Sequence, residues 1–125
     1  MNPETRLKDD LMRKLKAAYP AAFFFRTGAG PFMQAGCPDI LGVWFGRFVG
    51  IEVKTPGKYK NPLTGCTPSQ LKFGCKITEA GGFWFCTDDT TQCMAQMRIY
   101  EKVLMPKEVR GNSTGTAKQD GENRP

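Results

Sequence analysis

The stretch Gly36-Cys37-Pro38-Asp39-Ile40-Leu41-Gly42-Val43-Trp44-Phe45-Gly46-Arg47-Phe48-Val49-Gly50-Ile51-Glu52-Val53-Lys54 decides the fold. Two apolar runs flank a glycine-containing turn, which predicts a β-hairpin. Asp39, Glu52 and Lys54 sit at its open end. Strand side chains alternate between faces, so Glu52 and Lys54 share a face and Val53 points the other way. Two registers are open. A Gly46-Arg47 turn with glycine first suits type II′ and sets Asp39 opposite Lys54. A Phe45-Gly46 turn sets Asp39 opposite Glu52, but it needs Phe45 at positive φ, which is unfavourable for a bulky residue. Both registers put all three charged residues on one face, and only a bulge or an odd-length loop would separate them.

Two carboxylates and an ammonium at one end of an apolar hairpin have two readings. One is a salt-bridged strand end. The other is a divalent-metal site, since paired carboxylate oxygens suit Mg²⁺ or Mn²⁺. Such a metal lowers the pKa of a bound water and offsets charge on a phosphoryl oxygen. A neighbouring lysine adds further charge stabilisation.

The chain in order frames this hairpin. Asn2-Pro3-Glu4 reads as the start of a helix, with Leu7, Leu11 and Leu15 as its apolar stripe. Lys8, Arg13, Lys14 and Lys16 fall on its expected solvated side. Glu4 lies on the Leu7/Leu11 face, where an acid also favours the helix N-terminus. Pro20 ends the helix. Phe23-Phe24-Phe25-Arg26 reads as a short strand, and Arg26 at its end is a candidate phosphate contact. Thr27 to Pro31 is a loop. Thr55 to Pro62 is another, with Lys58 and Lys60 flanking Tyr59 as candidate nucleic-acid contacts.

Thr67-Pro68-Ser69-Gln70 opens a second helix as a capping box. That role accounts for Gln70 structurally. Leu71, Cys75 and Thr78 suggest its inner face, and Gly81-Gly82 its end. Phe83-Trp84-Phe85-Cys86 predicts a fully buried strand. A last helix follows Asp88 or Asp89, with Cys93, Met97, Tyr100 and Leu104 inward, and stops at Pro106. The crossover helix implies a parallel pairing, hence an α/β fold with a mixed sheet. We expect one domain over residues 1–106 and a disordered polar tail over 107–125.

Composition narrows the function. The 125 residues suffice for one small core. A formal net charge of +6 favours a polyanionic partner. The chain contains no histidine, which removes serine–histidine and cysteine–histidine catalysis. Its five cysteines include no C-x-x-C pair, which argues against structural zinc. The odd count suggests reduced thiols in a cytoplasm. No apolar run is long enough to span a bilayer, and the phosphate-binding G-x-x-x-x-G-K-[ST] pattern is missing, so no nucleotide cofactor is expected.

Gly36-Cys37-Pro38-Asp39 followed by Ile51-Glu52-Val53-Lys54 resembles the VRR-NUC branch of the PD-(D/E)XK nuclease superfamily. The run Glu52-Val53-Lys54-Thr55-Pro56-Gly57 with Thr67-Pro68-Ser69-Gln70 is similar to that branch too, and the resemblance covers roughly residues 4 to 87. It implies a restriction-endonuclease-like core, a mixed four-stranded sheet flanked by helices. It also implies metal-dependent hydrolysis of DNA phosphodiesters. In that reading Asp39, Glu52 and the Val53 carbonyl hold Mg²⁺ or Mn²⁺, and Lys54 positions the attacking water. Glu4 adds an outer ligand, and Gln70 holds a water or phosphate. Small stand-alone members resemble Holliday-junction resolvases, usually act as homodimers and are often phage-encoded. Branched DNA is therefore the expected partner, in the cytoplasm of a bacterial or phage-infected cell. The alternatives are a non-catalytic DNA-binding module, a flap-type or nicking nuclease, and an RNA-directed nuclease.

Overall fold

The computed structural model describes residues 2–28, 33–57 and 59–105. Lys58 and the expected tail over 107–125 lie outside them. The chain divides into Met1–Ala95 and Gln96–Pro125. The first unit carries a four-stranded sheet of order β1-β2-β3-β4, built from Phe23–Arg26, Ile40–Trp44, Arg47–Val53 and Phe83–Thr87. The first two pairings are antiparallel, and β3 pairs with β4 in parallel. This is the mixed sheet that the crossover implied.

Helix α1 (Pro3–Ala18) opens as its sequence dictates, with Asn2 accepting from the Thr5 amide at 2.7 Å. It packs on β1 and β3 through Leu7, Leu11 and Leu15, all buried. A short α2 (Pro62–Gly65), capped by Asn61, begins at the last residue of the expected Thr55–Pro62 loop. Helix α3 (Pro68–Glu79) packs against the other side of β3 and β4. It ends at Gly81, whose φ of 94° is the left-handed conformation of a helix stop. Helix α4 (Thr90–Leu104) starts where Asp89 accepts from the Gln92 amide. Among the described residues no helix is long and apolar enough to cross a membrane.

Four expectations need correction. The hairpin turn is Phe45-Gly46, with Trp44 opposite Arg47. Phe45 does take positive φ, 50°, beside Gly46 at 74°. These are the signs of a type I′ turn, whose twist matches the strands. The Phe45 ring lies edge-on to Trp44 at 5.2 Å and to Tyr19 at 6.4 Å, and this aromatic corner offsets the backbone strain. The inner face of α3 is Gly74 and Ile77, because Cys75 and Thr78 are exposed. Strand β4 is half-buried: Phe85 and Thr87 are covered, while Phe83, Trp84 and Cys86 are only partly so. It is an edge strand, and α3 shields its Trp84 side incompletely. On α4, Cys93 and Met94 are buried in the first unit. In the second, Met97 is buried and Tyr100 exposed, although both were expected inward.

Gly74 explains where α3 sits. A Cβ there would lie 2.4 Å from the Trp84 indole, so the helix meets the strand through backbone against ring. Gly74→Ala should therefore destabilise by about 1–3 kcal/mol, as overpacking does, read as a lower midpoint in denaturant titration. An unchanged midpoint would mean that the helix does not rest on Trp84.

Candidate functional site

The Phe45-Gly46 turn fixes the site by fixing the register. With Ile40 opposite Ile51, continuing the ladder by one residue sets Asp39 opposite Glu52. Both then face α3, together with Lys54. Thr27 locks the approach. Its amide donates to the Asp39 carbonyl at 2.9 Å, and its hydroxyl donates to the Pro38 carbonyl at 2.8 Å. The Asp39 side chain is pinned in turn, its Oδ2 accepting from the Val53 amide at 2.8 Å.

Gln70 ties α3 to the hairpin. Its Oε1 accepts from the Thr67 amide at 2.9 Å, completing the capping box, and from Lys54 Nζ at 2.8 Å. Its Nε2 donates to Glu52 Oε2 at 2.9 Å. The sequence suggested that one amide could serve capping and site only in part. It serves both, because the oxygen has two lone pairs and the NH₂ is a separate donor. Gly36 lets α3 approach this closely. Its φ is 82°, and a Cβ there would fall 2.2 Å from the Ser69 carbonyl oxygen.

Glu52 is 4% exposed. Its Oε2 has Gln70 and, at 3.8 Å, Lys54, while its Oε1 is buried without a hydrogen-bond partner. Burial, then the negative charge of Asp39, push its pKa up to about 8 against the partial relief that Lys54 gives, and a proton shared with the Asp39 carboxylate raises it further. The same surroundings, burial first and then Glu52 and Asp39, raise the Cys37 thiol. An orphaned buried carboxylate oxygen beside a second carboxylate is the donor set a hard divalent cation fits. Among the described residues no three His, Cys, Asp or Glu side chains converge. Side chains therefore offer such an ion two carboxylates, leaving positions for water, as Mg²⁺ prefers. These groups line a cavity of about 370 Å³ that includes Lys8, Thr27, Cys37, Asp39, Glu52 and Gln70.

The remaining candidates are spread more widely. Glu4 stands at the rim, accepting from the Thr55 hydroxyl at 3.3 Å and pairing with Lys8 at 3.6 Å. Arg26 is engaged by Asp9 of α1. Lys60 lies in the half-exposed segment after β3, and Lys58 lies outside the described residues. Lys8 escaped sequence reasoning, which put it on the solvated side of α1. Its Nζ is 3.2 Å from Asp39 Oδ1. Lys14 also departs from that side, reaching Asp10 at 3.3 Å and the Thr90 hydroxyl at 3.1 Å. The available signal for Lys8 was its i+4 spacing from Glu4, which puts the two on one helix face. Thr27, next to a glycine loop, carried no comparable signal.

No family model matches this sequence, and no curated protein matches it. A solved structure described as a VRR_NUC domain protein superposes with a TM-score of 0.60 at 17% identity, over 82% of this chain and 90% of that one. The likeness shows the fold: a mixed four-stranded sheet flanked by helices, as in a restriction-endonuclease-like core.

The buried Glu52 makes stability pH-dependent. Below its ordinary pKa of 4.5 it is protonated whether folded or not. From there to about 8 the unfolded chain releases the proton and the folded chain keeps it, so stability falls as pH rises through that window. The melting temperature of metal-free protein should drop between about pH 5 and pH 8. Glu52→Gln should flatten this dependence. Equal slopes in the two proteins would show that Glu52 titrates normally.

Proposed function

We propose that this chain is a divalent-metal-dependent nuclease that hydrolyses DNA phosphodiesters. The observation that carries the reading is the orphaned, buried Glu52 oxygen facing Asp39, with Lys54 held beside it by Gln70. A salt-bridged strand end would leave no carboxylate oxygen buried and unpartnered, since such a group is costly unless something binds it. The net charge of +6 suits a polyanion. Two acids on the face meant for a polyanion make sense when a cation lies between them.

Asp39, Glu52 and the Val53 carbonyl would hold Mg²⁺ or Mn²⁺, which supplies an acidified water and charge neutralisation at the phosphate. The chain's own residues do the rest. Asp39 is kept in place by the Val53 amide. Lys54, oriented by Gln70, donates to the attacking water and offsets charge on the phosphate as it builds up. Glu4 and Lys8 complete the rim on the α1 side. Arg26, Lys58 and Lys60 contact flanking phosphates. Asp39→Ala, Glu52→Ala and Lys54→Ala should each abolish cleavage of branched DNA in Mg²⁺ while retaining the fold by circular dichroism. The two acid variants should also lose metal binding by calorimetry. Wild-type cutting by all three would leave only the salt-bridged strand end. DNA retention without cutting by the wild type, with or without metal, would favour a non-catalytic binding module.

The favoured substrate is a four-way junction cut in pairs by a homodimer, since two related cuts need two sites and a C₂ dimer supplies them. The outer β1–β3 part of the α3-facing side of the sheet supports this. Phe23, Val43 and Phe48 lie in one cross-strand row, with Phe25 beside them. All four are exposed, Phe23 by 64%. Together they present on the order of 400 Å² of apolar surface, a patch size that on soluble proteins marks an interaction site. Sedimentation at micromolar concentration should give a dimer, and Phe23→Lys with Phe48→Lys a monomer. Monomers throughout, with single unpaired nicks, would favour a flap-type or nicking nuclease. Neutralising Lys58 and Lys60 should weaken binding on all sequences and lower the salt slope by about one for each phosphate no longer neutralised.

A further inference from the structure

The proposed chemistry leaves one pair of reactive side chains unused. The sulfurs of Cys66 and Cys86 lie 3.3 Å apart, both thiols free and both half-buried. They come from segments that the tertiary fold brings together: Cys66 closes α2, its amide donating to the Pro62 carbonyl at 3.0 Å, and Cys86 stands in β4. Their surroundings are particular. Tyr59 lies against Cys86, whose thiol pKa it lowers, and the Tyr59 ring packs where a Cβ on Gly65 would sit. Cys86 is the register partner of Glu52 in the parallel ladder. Cys66 directly precedes Thr67, whose amide donates to Gln70 Oε1. The other three cysteines, Cys37, Cys75 and Cys93, form no such contact among the described residues.

We propose that Cys66 and Cys86 form a reversible disulfide that clamps the start of α3 to β4 and thereby resets Gln70 in the cleft. The oxidant is a peroxide. The Cys66 thiolate attacks one peroxide oxygen, breaking the O–O bond and giving a sulfenic acid and hydroxide. The Cys86 sulfur then attacks the Cys66 sulfur, the S–O bond breaks, and the Cys86 proton leaves with the oxygen as water. In sum, two thiols and one hydrogen peroxide give one disulfide and two waters: each sulfur loses one electron and the peroxide gains two. Burial holds the Cys86 thiol protonated, with further raising from Cys66 against the lowering that Tyr59 gives.

Geometry makes the step consequential. Closing from 3.3 Å to the roughly 2.05 Å of an S–S bond moves the sulfurs together by about 1.3 Å. On the Cys66 side that displacement falls one residue from the α3 cap. The Thr67 amide, which donates to Gln70 Oε1, shifts with it, and Gln70 is the residue that holds Lys54 and Glu52. A misplacement of this size is enough to slow a positioned reaction about tenfold or more. The bridge also closes a 20-residue separation, which constrains the unfolded chain.

The effect on cleavage rests on the nuclease reading, whereas the bridge itself does not. The test uses the full chain, as wild type, Cys66→Ser and Cys86→Ser, treated with hydrogen peroxide and then with dithiothreitol. We expect wild type to lose the mass of two hydrogens, with a Cys66–Cys86 linked peptide after digestion. Its melting temperature should rise by on the order of 10 °C. Neither variant should show either change. Cleavage of branched DNA by oxidised wild type should fall about tenfold or more and return with dithiothreitol. Cys66→Ser should cut at the reduced wild-type rate before and after peroxide. Retention of both thiols, a bridge to Cys37, Cys75 or Cys93, or an unmoved melting temperature would overturn the proposal. A bridge with unchanged cleavage would overturn its link to the cleft. If no form cuts DNA, it is the nuclease reading that fails, and the mass and melting results still decide the bridge.

Discussion

Everything in the first unit converges on the primary amide of Gln70. One helix start, Glu52 of β3 and Lys54 just beyond it are held by its two ends. The arrangement works because the amide oxygen accepts twice while the nitrogen donates independently. It also sets a distance: α3 must begin close enough for Gln70 to reach Glu52. Gly36 and Gly74 meet that requirement from two sides, one by letting the hairpin's lead-in touch the helix backbone, the other by letting Trp84 lie against it. A side chain at either glycine would push the helix away from the carboxylates it positions.

The electrostatics of the cleft follow from this packing. Glu52 is carried into the interior by a strand whose neighbours Ile51 and Val53 are buried on the opposite face. Asp39, one residue beyond the end of the β2–β3 ladder, adds a second negative charge. Lys54, Gln70 and Lys8 offset part of this, but one Glu52 oxygen remains without a partner. On the proposed reading that oxygen is where a cation would bind, whereas in an ordinary ion-pair cluster each oxygen would already be satisfied.

Much of the architecture was legible from the chain because its signals are local. Asn2-Pro3 and Thr67-Pro68-Ser69-Gln70 start helices through their own backbone donors, and Gly81 stops one. The Phe23–Arg26 strand, the hairpin and the parallel crossover to Phe83–Thr87 follow from apolar runs and connection length. Burial was harder to read. Cys75 and Thr78 fit the helical period as inner residues, yet Trp84 takes up the space and selects Gly74 and Ile77. Phe83-Trp84-Phe85-Cys86 reads as a fully buried strand, but among the described residues nothing pairs with its outer edge in the sheet.

The sequence by itself determined that Asp39, Glu52 and Lys54 share a face, since strand alternation holds for either turn. It could not choose between the turns. Local backbone preference disfavours Phe45 at positive φ, whereas the fold seats its ring in an aromatic corner with Tyr19 and Trp44. Tertiary structure alone likewise brought Lys8 from α1 to Asp39, gave Gln70 its second and third partners, and set the sulfurs of Cys66 and Cys86 side by side. The physical reason is the same in each case. Alternation, caps and turns are settled by a few neighbouring residues, whereas side chains distant in sequence meet only where packed helices and paired strands fix the distance between them.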